Sequence, residues 1–305
     1  MNHREPTTPG RLIDPTRPFS TNYWTQRRLV FLLAAAPAVG YLLLQFWPLG
    51  RALGSALTDE AGDWTTAHLT RVWGDRLFVR SLGYSLLVPV VSVGLEAVVG
   101  LGMALWFYEL RRGRFFWRTV AIVPFALPEI VYLLTMKLVF RQNGYLNSAL
   151  WHGGGADWTV GWLEPGRPLM TLVVILVDAW RVTPIVFLIV LTALEQLPVS
   201  YVEAARIDGA GPWQIRARVL VPLVLPALLV ALALRAVDAF RIFATPLVLV
   251  GVEAMPVLTS VAYHYKASAN DVPAANIAAL TLALGLLVMS LTAWALVWAG
   301  RRFRA

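Results

Sequence analysis

Of the chain's 305 residues, 58% are hydrophobic and 14% charged, a balance too apolar for one water-soluble domain to hide, so lipid must cover part of the surface. The formal charge of +8 is carried almost wholly by arginine, with Lys137 and Lys266 the exceptions, and no soluble basic block with interleaved aromatics is present to suit nucleic acid. The absence of cysteine excludes disulfides, thiolate metal sites and cysteine nucleophiles together.

Residues 1–26 are polar and proline-rich, and such a composition predicts a flexible cytosolic tail. Behind Arg27 and Arg28 comes LVFLLAAAPAVGYLLLQFW, about nineteen residues, enough to cross a hydrocarbon core of about 30 Å and too long for a signal peptide. Five further apolar runs, at about 81–107, 119–140, 169–194, 219–243 and 276–299, give six expected spans with both termini on one side. The 51–80 loop carries both signs of charge and predicts a short amphipathic helix outside the membrane; the 141–168 loop is Gly- and Trp-rich and is also expected outside. Fifteen arginines lie in the tail together with Arg27 and Arg28, the 108–118 loop, the 195–218 hairpin and the C-terminus, against seven Lys and Arg in the opposing loops. This asymmetry places the termini and the hairpin in the cytoplasm. No internal repeat is found, so the expectation is an all-α integral membrane protein with one transmembrane domain over 27–305 and a hairpin at about 198–218.

Catalytic signatures are missing. Lys137 follows Met136 and Lys266 follows Tyr265, so neither completes a phosphate-binding loop, and His3, His68, His152 and His264 form no metal pair. No serine sits in a GxSxG elbow.

The hairpin YVEAARIDGAGPWQIRARVLVP (201–222) is polar between two apolar runs. YVEAARID suits a short helix, Gly209 and Gly211 permit a left-handed break, and Pro212 suits the first turn of a second helix. Ile215 and Val219, four apart, are expected to face the membrane domain, with Arg216 and Arg218 at headgroup depth. A plain wet loop would account for the charges alone. The order of types suits a docking knob better: one carboxylate, two alanines giving a small-sided face, then a sharp corner.

These residues resemble the EAA loop of binding-protein-dependent ABC importer permeases. Glu203, Ala204, Ala205, Gly209 and Pro222 match that pattern at its spacings, Asp208 and Ala210 are also common there, and Val219 and Val221 replace the usual Ile and Leu. RSLGYSLLVPVVSVGLEAVVGLGMALWF, RTVAIVPFALPEIV, DAWRVTPIVFLIVLTALEQLP and RAVDAFRIF are similar to successive spans of the carbohydrate-uptake branch, the first-permease type of maltose, trehalose and glycerol-phosphate systems. The resemblance implies a type I importer (MetI-like) fold in a bacterial inner membrane, a second permease, two cytosolic ATPase subunits that bind ATP and Mg, and an external solute-binding protein. It implies no catalytic residue and no cofactor in this chain. It also implies that Glu203 pairs with an arginine of the ATPase subunit, that Ala204 and Ala205 line the contact, and that Gly209 makes the bend.

Glu96, Glu129, Lys137, Asp178, Arg181, Arg235, Asp238 and Arg241 fall inside expected spans, where a central Arg, Lys or Asp costs about 2.5–3.5 kcal/mol, so these groups should face partners, water or a membrane edge. Asp178 and Arg181 stand three apart, as do Arg235, Asp238 and Arg241, so Asp238 has either arginine within reach on a helix. As a translocation path, Asp178, Trp180, Arg181, Arg235, Asp238, Phe240, Arg241 and Tyr132 would offer charged and aromatic groups to sugar hydroxyls and ring faces. Alternatively these groups hold helices together or snorkel to an interface, a reading favoured for Glu129 and Lys137. A disaccharide such as trehalose or maltose is the expected solute, with glycerol phosphate or an ion-coupled secondary transporter as alternatives. The latter would call for inverted repeats and two broken helices, which the sequence does not display.

Overall fold

The computed structural model describes residues 22–59, 61–110, 112–154 and 159–302. Thirteen α-helices and one π turn follow in order: α1 Asn22–Leu57, α2 Ala67–Gly74, α3 Arg76–Glu109, α4 Arg114–Ala126, α5 Glu129–Phe140, α6 Tyr145–Gly154, α7 Pro168–Glu195, α8 Ser200–Ile207, α9 Pro212–Ile215, the π turn Arg216–Leu220, α10 Val221–Phe240, α11 Ala244–Leu249, α12 Leu258–Ala267 and α13 Val272–Arg302. Contacts divide the chain into Met1–Arg51 and Ala52–Ala305. The first unit contains α1 from Asn22 to Arg51; the packing and the sites described below belong to the second. The tail expected over 1–26 lies outside the described residues as far as position 21, and its last five residues belong to α1.

Among the described residues, five helices are long and apolar enough to cross a membrane: Leu33–Leu57, Arg76–Glu109, Pro168–Glu195, Pro212–Phe240 and Val272–Thr292. The sixth expected span, 119–140, is not continuous. Phe115–Ala126 of α4 and the segment Glu129–His152 that opens with α5 meet at a 90° bend, because Pro128 disfavours helical backbone at Leu127, which is extended at φ −73°, ψ 140°. The pair is a broken span or a re-entrant loop. Beyond the expected amphipathic helix, found as α2, the loops hold α6, α11 and α12, which hydropathy alone did not separate from coil.

α7 is the central helix, with 67% of its most apolar window buried against 28% or less in the other spans. Its principal neighbour is α3, and their contact depends on one small residue. A Cβ on Gly100 would lie 2.9 Å from Val186 Cγ1 and 3.2 Å from the Phe187 backbone nitrogen. A few residues along, Phe107 and Phe187 meet edge to face at 4.9 Å. α10 closes this core through Val224, Leu228 and Ala231. At the end of the bundle away from the hairpin, Asp75 caps α3 by accepting from Leu77 N at 2.8 Å and also accepts from the Tyr265 hydroxyl of α12. Burial, then that hydrogen bond, hold the Tyr265 phenol above its usual value.

Gly100→Val is expected to force α3 and α7 apart and to cost about 1–3 kcal/mol by overpacking. Unfolding of the purified chain in detergent checks this, with Gly94→Ala, where a Cβ meets nothing within 4 Å, as the mild control.

Candidate functional site: a polar cleft and an exposed hairpin

In the middle of this apolar bundle α3, α7 and α10 each contribute charged groups to one cluster. Arg235 of α10 makes a bidentate pair with Glu96 of α3, Nε to Oε2 at 2.7 Å and Nη2 to Oε1 at 3.0 Å. Its Nη2 stands 3.9 Å from Asp178 Oδ2 of α7, and its Nη1 3.6 Å from Asp238 Oδ2. The Arg235, Glu96 and Asp178 side chains are 5%, 0% and 4% exposed. Ser92 Oγ lies 3.1 Å from Glu96 Oε1 and 3.0 Å from Asp178 Oδ2, so its single proton serves one or the other. Thr245, in α11 just beyond the end of α10, donates to Asp178 Oδ1 at 3.1 Å. Buried charge of this kind persists only where geometry and hydrogen bonds replace water, and fork-on-fork pairing supplies both.

Around this cluster opens a cleft of about 390 Å³. Its walls present Glu129, Asp178, Arg181, Arg235, Asp238 and Arg241. Glu129, directly after the Pro128 bend, accepts from Arg181 Nη2 at 3.0 Å, so the broken span supplies one wall. Buried Arg181 Nε has no hydrogen-bond partner among the described residues, and Asp238 is 63% exposed. The cleft therefore combines a paired, buried floor with an unpartnered donor in its wall and an exposed carboxylate at its mouth.

Of the eight path candidates, Asp178, Arg181, Arg235, Asp238 and Arg241 are gathered here. Three are not. Tyr132 is buried and donates to the Val177 carbonyl at 3.0 Å, tying α5 to α7. Phe240 packs on α13, where a Cβ on Gly285 would meet its ring at 2.9 Å. Trp180 lines a separate apolar groove with Trp106 and Trp117. The local pairings suggested by three-residue spacing hold only for Asp238 with Arg235; Asp178 and Arg181 find tertiary partners instead. Glu129, expected to hold helices or to snorkel to an interface, pairs across helices and also faces the cleft. Lys137 does only the former, through the Val248 carbonyl at 2.7 Å. Glu96 carries the pairing yet was absent from the expected path, although its charge in mid-span was a signal; Ser92 and Thr245 gave none.

At one end of the bundle the hairpin projects. α8 ends in two interlocked turns, Ala210 N to Ala205 O at 2.9 Å and Gly209 N to Arg206 O at 3.1 Å, a closure that needs a left-handed residue just past the helix. Gly209 supplies it at φ +80°. Gly211 does not: it is extended at φ −72°, ψ 164°, and leads into Pro212 at the start of α9. Glu203, Ala204, Asp208 and Gly209 are exposed, Ala205 and Ala210 are half-buried, and Pro222 is exposed in the first turn of α10. Ile207 and Trp213 stand 86% and 74% exposed on the same knob. The expected inward pair becomes Ile215 with Leu220, five apart, because the π turn inserts a residue; Val219 is half-buried.

A helical membrane bundle with an open polar cleft between its helices and a projecting hairpin defines a transport permease. The model of the family described as "Binding-protein-dependent transport system inner membrane component" matches residues 97–299, and the chain belongs to that family: it is a multi-pass permease of an ABC importer, a transport component rather than an enzyme. It is 31% identical over 239 residues to the trehalose transport system permease protein SugA of Mycobacterium tuberculosis, covering 74% of each chain. It is 36% identical over 181 residues to the trehalose/maltose transport system permease protein MalF of Thermococcus litoralis, 57% of this chain and 60% of that one. The fold matches a crystal structure of a bacterial ABC transporter involved in import of the acidic polysaccharide alginate, with a TM-score of 0.78 and 20% identity over 90% of this chain and 98% of that one.

Arg235→Leu would leave Glu96 and Asp178 buried and uncompensated, and is expected to cost on the order of 3–5 kcal/mol. Asp238→Asn at the exposed mouth should change stability by about 0.5 kcal/mol or less. Denaturant unfolding of both variants in detergent checks the contrast.

Proposed function

We propose that this permease imports a neutral sugar, with a disaccharide of the trehalose or maltose type as the solute, and that the polar cleft is its half of the translocation path. The observation that carries this reading is the cleft itself: an open, charged cavity held between apolar helices by buried pairs. Its lining sets three carboxylates against three guanidinium groups, and Glu96 behind Arg235 adds a fourth carboxylate. Such a balance disfavours an anion such as glycerol phosphate and suits hydroxyl groups, which both donate to carboxylates and accept from arginine. Asp178, Arg181, Asp238 and Arg241 are the residues we assign to the solute, with Arg235 as the floor that positions Asp178. Tyr132, Trp180 and Phe240 are left to packing by their placement. The names of the relatives, both trehalose permeases, support the same class.

The termini and the hairpin lie in the cytoplasm on this reading. There the hairpin docks on an ATPase subunit through Glu203, Ala204, Ala205, Asp208, Gly209 and Ala210, with Pro222 starting the helix that carries the motion inward. ATP and Mg are bound by two copies of that partner, while a second permease completes the path and an external solute-binding protein delivers the sugar. The exposed Ile207 and Trp213 support a buried contact in the assembled importer, since apolar groups of that size on a projecting knob are rarely left in water.

In liposomes holding the complete importer, ATP without an ion gradient should drive uptake of a neutral disaccharide, and glycerol phosphate should not compete. Glu203→Lys should abolish uptake and co-purification of the ATPase while the membrane domain unfolds at the same temperature as the parent. Uptake driven by an ion gradient alone, or by Glu203→Lys at the parental rate, would overturn the reading.

A further inference from the structure

The hairpin is fastened to the bundle at a point that chain connectivity does not supply. Glu109 is the last residue of α3, where the outward carbonyls make a carboxylate unfavourable unless a cation answers it. Arg216 answers it from 107 residues away, with Nε 2.7 Å from Oε1 and Nη2 2.5 Å from Oε2. Both partners are substantially exposed, at 34% and 43%, and a pair so wet adds little to stability. Its geometry is nevertheless the same two-point fork that Arg235 and Glu96 form in the interior, and it joins the same two segments, α3 and the continuous helical run from Pro212 to Phe240.

The π turn connects the two forks. Along that run the buried side chains are Ile215, Leu220, Val224, Leu228, Ala231, Arg235 and Ala239. After the first step of five residues the intervals are those of an ordinary helix. The single long step coincides with Arg216–Leu220. Removing that extra residue would turn everything beyond it by about 100° relative to the hairpin. With Ile215 packed and Arg216 on Glu109, Arg235 would then point away from Glu96. The inserted residue is what lets both forks close at once.

We propose that the Glu109–Arg216 pair is a positioning strut of the transport cycle. It fastens the hairpin to α3, and α3 grips Arg235 through Glu96, so a displacement of the hairpin reaches the cleft along α3 and α10 together. This inference rests on the reading of the hairpin as the ATPase docking element. Glu109 and Arg216 touch no solute; they act through the helices they join.

The test uses the complete importer in liposomes, with solute taken up per ATP hydrolysed as the readout. Glu109→Gln and Arg216→Gln should each lower that ratio several-fold while the ATPase subunit still co-purifies and the unfolding temperature holds. The exchanged pair Glu109→Arg with Arg216→Glu should recover most of the loss. A ratio unchanged in both single variants, or an exchanged pair no better than either, overturns the strut. Glu203→Lys, run in parallel, separates the two readings. If it loses the ATPase while the single variants keep the parental ratio, the strut alone fails; if it keeps both ATPase and uptake, the docking reading fails and the strut with it.

Discussion

One guanidinium organises the interior of this protein. Arg235 sits in a bundle whose helices are otherwise almost wholly apolar, and it is kept ionised by a two-point pair with Glu96 and by the nearby carboxylates of Asp178 and Asp238. An unpaired charge at that depth is costly, so α3, α7 and α10 are held in one relative register: rotation of any of them would strand an ion in a medium that cannot solvate it. Apolar packing between the same helices is forgiving by comparison, because one aliphatic side chain replaces another at modest cost. The charge cluster thus contributes specificity of arrangement, and the cleft is the open side of that arrangement.

The wall opposite the cluster comes from an interruption rather than from a helix. Pro128 stops α4, turns the chain by 90° and leaves Glu129 at the first position of α5. Irregular backbone at membrane depth is tolerated where it lines a cavity or is covered by protein, and here it borders the cleft. The bend also delivers Glu129 to Arg181, so the same residue that marks the break secures it. In the hairpin, Gly209 and the π turn are backbone irregularities that shape and orient it.

Much of this was legible in the sequence because it is written locally. Run length gives the spans, and the sharp corner at Gly209 follows from a glycine after a short polar helix. The break at Leu127–Pro128 was also readable from proline chemistry, but a long apolar run masks such punctuation when hydropathy alone is summed. What stayed hidden was the choice of partners. Three-residue spacing pointed Asp178 at Arg181, whereas in the folded protein Asp178 turns to Ser92 and Thr245, and Arg181 to Glu129. The Arg235–Glu96 pair spans 139 positions. In a low-dielectric interior a two-point tertiary pair outweighs a loosely aligned neighbour on the same helix, and no local pattern reveals which distant carboxylate will be in reach. For the aromatic candidates the limit is rotational: Trp180 and Phe240 share helices with cleft residues but lie on other faces, set by packing that sequence does not display.

The central claim is that the mouth of the charge cluster is where solute passes. Because the natural chain contains no cysteine, one thiol introduced as Asp238→Cys reports on that place alone. The account predicts that it reacts with a water-soluble maleimide in the assembled importer and that transported sugar slows the reaction during ATP-driven turnover. A thiol that stays unreactive throughout the cycle, or that reacts at one rate with and without sugar, would contradict it.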